Sequence, residues 1–562
     1  MKNLLLFFFL TFYINCLAQV TNKGEPISWT LSTKTSIEAI NLPQIDIKKI
    51  RAEDISHKKL ITKPFRIGIP QKANYGFENA GVWTQLPNGD RIWRILFSSK
   101  DAIHLSVNFN QFYLPKGSNI YLYNDDRTDL LGAYTEVQNN AKQVLGTWLV
   151  NGDKLWIEYY EPKEVTGQGK LNIATVIHGY RLGHSYQKGY KDGVLQPMNN
   201  SGDCNHDVDC PIGADFESHR DLLKKSVGFL NMANGMVCSG ALVNNTAQDR
   251  KPYFLTSEHC YFDASDIPSD PSLYSVRFNW ISPNPICGSS TNSTDAVNNE
   301  VMNGAYLKAR NASSDFMLIE LFNDIPSSWD VTYAGWDKTD AYPTFEVSIH
   351  HPSGDIMKIS RDDDGATRLV NSGVYMWAIG GIGYGTGNGW ELGVTEGGSS
   401  GGPLFDQNGR IIGQLRGGNA ACDETDPTVD NNRYDLYGRF AAAWDLGTSQ
   451  TTRLKEWLDP GSTNEDNIDV LDNVLAINDA FLEENISIFP NPTSGVIQIK
   501  VSPLISNLKY EIYNVLGQVV IYDQLQNNEI INLVNLPNDI YFIKFTEAAT
   551  NNSFVKKIVL NK

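Results

Sequence analysis

The chain has 562 residues, 41% of them hydrophobic, and a formal net charge of -17. That length exceeds one ordinary domain and suggests about three or four units. Its 47 Lys and Arg stand against 64 Asp and Glu and are concentrated nowhere, which excludes nucleic acid as a partner and leaves basic peptides as the attracted class.

In chain order, residues 1–18 read as a signal peptide: Lys2, an apolar run from Leu4 to Phe12, then short residues to Ala18. Residues 19–198 alternate with the period of strands. "GVWTQLPNGDRIWRILFSS" folds back at a Pro-Asn-Gly-Asp turn, and "SVNFNQFYLPKGSNIYLYNDD" repeats the arrangement, so a β-sandwich is expected. This stretch carries no catalytic cluster and reads as a pro-region. The polar segment Ser185 to Asp203 reads as a processing linker, with cleavage expected between Lys188 and Asp203.

Residues 199–463 hold short strand-like runs such as "SVGFLNM", "CSGALVN" and "GRIIGQLRGG", and predict an all-β barrel domain. Leu454, Trp457 and Leu458 have the spacing of an amphipathic helix that closes the domain before Pro460. Residues 464–484 form an acidic linker, and 485–562 a last strand-rich unit. Once the signal is removed six cysteines remain, all in the central region, which predicts three disulfides in an exported protein. No pair has C-x-x-C spacing and no H-E-x-x-H occurs, so neither metal nor cofactor is expected.

"GGSSGGPLF", Gly397 to Phe405, places two serines among glycines. Acyl transfer by serine requires an imidazole base, a carboxylate that orients it, and backbone N–H groups facing the oxyanion. His259 in "YFLTSEHC" follows an apolar strand, and Asp315 in "ASSDFMLIELFND" heads another, where a buried carboxylate needs a partner. Ser400 has Gly398 two before it and two glycines after it, so the amides of Gly398 and Ser400 can converge as an oxyanion hole while Ser399 faces inward. His350 and His351, before Pro352, read as loop residues. The order His259, Asp315, Ser400 is that of chymotrypsin, not of subtilisin or the α/β-hydrolases.

At these residues the region from about Asn199 to Thr463 resembles the lysyl endopeptidases, a bacterial branch of the chymotrypsin-like serine proteases. The resemblance rests on "CNHDVDCP", "GALVNNTAQDRKPYFLTSEHC", "SSDFMLIELFN", "AGWDKTDAYP", "IHHPSGD", "GVTEGGSSGGPLF", "RYDLYGRF" and "RLKEWLDPGST". It implies an all-β, chymotrypsin-like double β-barrel with a C-terminal helix, and a triad of His259, Asp315 and Ser400. It also implies disulfides Cys204 to Cys422, Cys210 to Cys287 and Cys238 to Cys260. Val394 stands where pancreatic trypsins have their pocket aspartate, and the resemblance assigns that role to Asp435 instead, which would pair with a substrate Lys. Leu415, Arg416 and Gly417 would align the substrate backbone, with Trp377 at the pocket edge. Arg416 replaces an expected His and Ser257 an expected Ala, and Glu258 adds a charge beside the base.

Residues 485–562 resemble the C-terminal sorting domain of the type IX secretion system through "FPNPTSG", "YNVLGQVV", "LPNDIYFIKF" and "KKIVL". A C-terminal β-sandwich is implied, with passage through periplasm and outer membrane to a secreted or surface location. The expected partners are Lys-containing proteins or peptides and the type IX machinery, and the expected state is a monomer. The activity read is hydrolysis after Lys through an acyl-enzyme. The alternatives are a broader trypsin-like protease cleaving after Lys and Arg, and a non-catalytic surface adhesin on the same fold.

Overall fold

In the computed structural model the described residues are all except 1–23, 32–35, 58–62, 182–199, 294–299, 327, 382–383, 385–386, 473–485, 502–507, 516, 526–528 and 548–552. The signal peptide, most of the processing linker with Lys188 and Lys191, and the larger part of the acidic linker lie outside them. The chain divides into two compact units. One holds the N-terminal and central regions, and the other is essentially residues 472–562.

The alternation in "RIWRILFS" buries Trp93, Ile95 and Phe97 on one face of the strand Arg91–Ser98. That strand pairs with Lys154–Glu161, which pairs with Asn119–Asn124. A second sheet, centred on His104–Tyr113, Lys170–Gly179 and Gly68–Gly76, supplies Leu105, Val107, Phe109, Ile173 and Val176 to the same core. The expected sandwich is therefore present.

This core does not stop at the N-terminal region. Phe229, Val237, Trp280, Val301 and Ile356 of the central region belong to it, and Trp148 meets the Phe229 ring edge-on at 5.8 Å. The strand Phe65–Arg66 pairs with Met236 and Val237, and Asn108 Nδ2 donates to the Ala233 carbonyl at 2.7 Å. At Gly146, a Cβ would lie 1.9 Å from the Leu273 carbonyl oxygen. Gly146→Ala is accordingly expected to destabilise the unit by about 1–3 kcal/mol through overpacking. The check is the urea midpoint, and an unchanged midpoint would mean the two backbones separate at little cost.

The central region is two mainly antiparallel sheets. The first runs Val301–Asn303, Ser275–Phe278, Val227–Asn231, Met236–Leu242, Tyr253–Ser257, Phe316–Leu321, Ala305–Asn311. The second runs His206–Asp207, Lys358–Asp362, Glu346–His350, Pro403–Asp406, Ile411–Gly418, Asp435–Arg439, Val374–Ile379, Thr367–Asn371. Disulfides join Cys204 to Cys422, Cys210 to Cys287 and Cys238 to Cys260. The closing helix is a single turn, Lys455–Leu458, preceded by a six-residue helix Phe440–Asp445. It stays short because the hydroxyl of Thr452 bonds the backbone N–H and carbonyl of Ser449, turning the chain just before it, and because Pro460 follows. Leu454 and Leu458 still fill the core.

The C-terminal unit carries two sheets, Ile486–Phe489, Val496–Val501, Glu529–Asn532 and Val519–Gln524, Leu508–Tyr513, Asp539–Glu547, Ser553–Leu560. Ile497, Ile499, Ile512, Ile543, Phe545 and Ile558 meet between them.

Candidate active site

His259 and Asp315 both stand at strand ends of the first sheet. Tyr253–Ser257, buried throughout, runs into a short turn over Glu258–Tyr261 that holds His259. Asp315 precedes Phe316–Leu321 with φ 47°, a left-handed backbone that Asp tolerates better than most residues. Its Oδ1 accepts the His259 backbone N–H at 3.0 Å, and its Oδ2 faces the imidazole Nδ1 at 2.9 Å. The pair is buried, Asp315 at 1% and His259 at 6% exposure. A carboxylate there fixes the proton on Nδ1 and leaves the Nε2 lone pair outward.

Ser400 comes from the second half of the region, on the turn that enters Pro403–Asp406. Its carbonyl accepts the Ser239 N–H at 2.7 Å. The sulfur of Cys260 lies 3.9 Å from both that carbonyl oxygen and His259 Nε2, so the imidazole and the serine backbone flank one disulfide. Ser399 points inward as expected, its hydroxyl 2.7 Å from His350 Nδ1. Gly398 has φ +100°, and a Cβ there would sit 2.8 Å from the His351 carbonyl. Its own carbonyl accepts the Ser239 hydroxyl. The amides of Gly398 and Ser400 donate to nothing among the described residues, whereas the neighbouring amides of Ser399, Gly401 and Gly402 are all bonded.

Asp435 opens the strand Asp435–Arg439 and is 1% exposed. Its Oδ2 accepts Trp390 Nε1 and Thr395 Oγ1, each at 2.7 Å, while Oδ1 is buried with no side-chain donor and only the Ala420 backbone N–H nearby. Burial pushes its carboxyl up to about 7. Neither Trp390 nor Thr395 was singled out by the sequence, because nothing in "NGWELGVTEGG" marks them as facing a residue 40 or more positions away.

Several other expectations need correction. Trp377 is not at a pocket edge: it is 1% exposed, its Nε1 donates to the Ile412 carbonyl, and it shares a core with Trp390 and Tyr437. His350 ends the strand Glu346–His350 rather than standing in a loop, while His351 does stand in the turn that follows; both are fully buried behind the Ser400 turn, and burial pushes both imidazoles down to about 3. Leu415 is anchored rather than available. Its carbonyl accepts both Ser257 Oγ and Gly401 N–H, at 2.6 and 2.8 Å, and its N–H donates to Gly402. Arg416 falls on a bulge in the pairing with Asp435–Arg439, and pairing with Pro403–Asp406 ends at Gln414. Arg416 and Gly417 thus lie beyond the paired part of that edge. Arg416 Nη1 lies 3.5 Å from Asp315 Oδ2. Ser257 adds a hydrogen bond, and the Glu258 charge beside the base is matched by Arg310, with which it is ion-paired.

Residues 198–438 match the family described as the lysyl endopeptidase C-terminal domain. The match to the lysyl endopeptidase family spans nearly the whole central barrel region. Residues 487–561 match the secretion system C-terminal sorting domain. The lysyl endopeptidase of Pseudomonas aeruginosa is 27% identical over 296 residues, 51% of this chain and 59% of that protein. The chain thus spans under two thirds of that relative's length. Among solved structures, an inactive mutant of Rv3671c from M. tuberculosis H37Rv has 14% identity over 40% of this chain and 84% of its own, with TM-score 0.24. The MamO protease domain of Magnetospirillum magneticum has 13% identity over 38% and 91%, with TM-score 0.21. His259, Asp315, the Ser400 turn and Asp435 all fall within the matched residues.

Proposed function

We propose that the protein is an exported serine endopeptidase that cleaves after Lys. The observation that carries the reading is the buried Asp315–His259 pair flanking the same disulfide as Ser400, beside two backbone amides without an acceptor among the described residues. His259 Nε2 takes the proton of Ser400 as its Oγ attacks the carbonyl carbon. The Gly398 and Ser400 amides hold the oxyanion, and Asp315 stabilises the imidazolium. Nε2 then returns the proton to the leaving amine, and water repeats the sequence on the acyl-enzyme. The Oδ1 of Asp435, without a side-chain donor, supports Lys as the residue before the cut bond, and the edge at Arg416 and Gly417 supports antiparallel pairing with the substrate backbone. The sorting domain supports export by the type IX machinery, to a secreted or surface location.

Residues 19–198 act as a pro-region in this reading. Phe65 lies against Gly397, where a Cβ would be 2.8 Å from its ring, and Phe65–Arg66 extends the sheet at Met236 and Val237. The N-terminal region therefore covers the chain next to the Ser400 turn. A fluorophosphonate probe is expected to label the protein, to label it faster once cut between Lys188 and Asp203, and not to label Ser400→Ala. A wild-type protein that never labels, cut or uncut, overturns the enzyme reading in favour of the adhesin. Sequencing the C-termini released from a denatured protein separates Lys alone from Lys with Arg.

A further inference from the structure

An acidic cluster includes Glu391, the neighbour in sequence of the Trp390 that donates to Asp435. The run Arg361-Asp362-Asp363-Asp364-Gly365 leaves the strand Lys358–Asp362, and Glu391 approaches it from 27 positions further on. One carboxylate oxygen each of Asp362, Asp364 and Glu391 lie within 4.8 Å of one another, a span that one cation with oxygen ligands at about 2.4 Å on either side would fill. Glu346 stands directly across the sheet from Asp362.

The cluster is built around two buried carboxyls that face each other with no basic side chain between them. Asp362 and Glu346 are both fully buried and their carboxyls are in hydrogen-bonding contact with each other, while Asp362 Oδ2 and Glu346 Oε2 receive no N–H or O–H from any other described residue, so either a shared proton or a cation must lie between them. The other oxygens are held in place by backbone: Asp364 N–H donates to Asp362 Oδ1 at 3.4 Å, Ala366 N–H to Glu346 Oε1, Asn388 N–H to Asp364 Oδ2 at 3.2 Å, and Asp363 N–H to Glu391 Oε2 at 2.6 Å. Among the described residues no Lys or Arg is ion-paired with any of the four. The nearby Arg361 is committed to Asp215 and Asp363. Two buried carboxylates without a counter-charge are costly unless something neutralises them.

We propose that Asp362, Asp364 and Glu391, backed by Glu346, bind a calcium ion that ties the turn after Lys358–Asp362 to the segment carrying Trp390. All the ligands are hard oxygens, with neither imidazole nor thiolate, which favours calcium or magnesium over zinc. Multidentate carboxylates on a turn open to water favour calcium, since magnesium demands near-ideal octahedral geometry. Because Glu391 adjoins Trp390, the ion braces the side chain that donates to Asp435. Binding itself does not depend on the proteolytic reading.

The test uses full-length protein carrying Ser400→Ala, so that self-digestion does not enter. Calcium is removed with EDTA and returned by titration, and terbium emission excited through tryptophan reports the site. One saturable site per chain is expected, from which calcium displaces terbium. The thermal midpoint should rise by about 1–3 °C at 10 mM calcium if the affinity is that of extracellular modules. Asp364→Asn and Glu391→Gln, both at exposed positions, should each weaken calcium at least tenfold while raising the calcium-free midpoint, because each removes a like charge. Absence of saturable binding in the wild type, or equal binding in the variants, overturns the proposal. A midpoint that responds to pH but not to calcium also overturns it and assigns Glu346 and Asp362 a shared proton instead.

Discussion

Asp315→Asn is expected to lower kcat by about 10⁴ while leaving the fold intact. The two side chains are nearly isosteric, so the Asn carbonyl can still accept the His259 backbone N–H that Oδ1 accepts now. The amide nitrogen must then occupy the place of Oδ2, 2.9 Å from Nδ1, where it donates a hydrogen. The imidazole answers by presenting its lone pair at Nδ1 and its proton at Nε2. A protonated neutral Nε2 cannot take the proton of Ser400, so the nucleophile is lost although every heavy atom stays in place. The measurements are kcat on a lysyl peptide and the thermal midpoint. A loss below tenfold with an unchanged midpoint would remove Asp315 from the mechanism.

Asp435→Asn should lower kcat/KM for Lys substrates roughly 10²- to 10⁴-fold, because a buried ammonium left without its partner costs about 3–5 kcal/mol. The Asn carbonyl can keep the bonds from Trp390 and Thr395, which leaves its NH₂ turned toward the substrate cation. Substrates with a neutral residue before the cut bond should lose little, so the ratio of the two isolates the pocket from the triad. The wild-type protein adds a pH signature. With the Asp435 carboxyl held up to about 7, the free protein is mostly protonated there at pH 6, and a lysyl cation must expel that proton to pair with the carboxylate. Calorimetry of a lysyl ester binding to Ser400→Ala in buffers of different ionisation enthalpy should find about one proton released per ligand at pH 6 and little at pH 8.5. Release that does not change with pH would mean Asp435 does not meet the cation.

The same carboxyl bears on stability. Its folded value lies above that of the unfolded chain, so between about pH 4 and pH 7 the native state holds a proton that the unfolded state has lost. Stability from this group is complete below that window and declines as pH rises through it.

Strand alternation and apolar runs made the β architecture readable, since a period of two buries one face whatever the partner. The glycines around Ser400 and the Asp at the head of an apolar strand were readable for a related reason: a left-handed turn and a buried carboxylate each restrict which residues the chain can place there. The length of the closing helix was not readable, because a local hydroxyl-to-backbone turn at Ser449 and Thr452 overrides its apolar spacing.

From the amino-acid order alone came the all-β class, the export signals, the even set of cysteines, and the three residues in the order His, Asp, Ser, each marked by a local chemical constraint. Only the tertiary structure decided that Trp390 and Thr395 hold Asp435, that Trp377 is buried in the core, that Leu415 spends its polar groups internally, that His350 stands behind Ser399, and that the N-terminal region shares its core with the central one. It also gathered Asp362, Asp364, Glu391 and Glu346. These are contacts between segments tens of residues apart. No local periodicity records them, because each depends on which strands neighbour one another and on which buried atoms are left without a donor once they do.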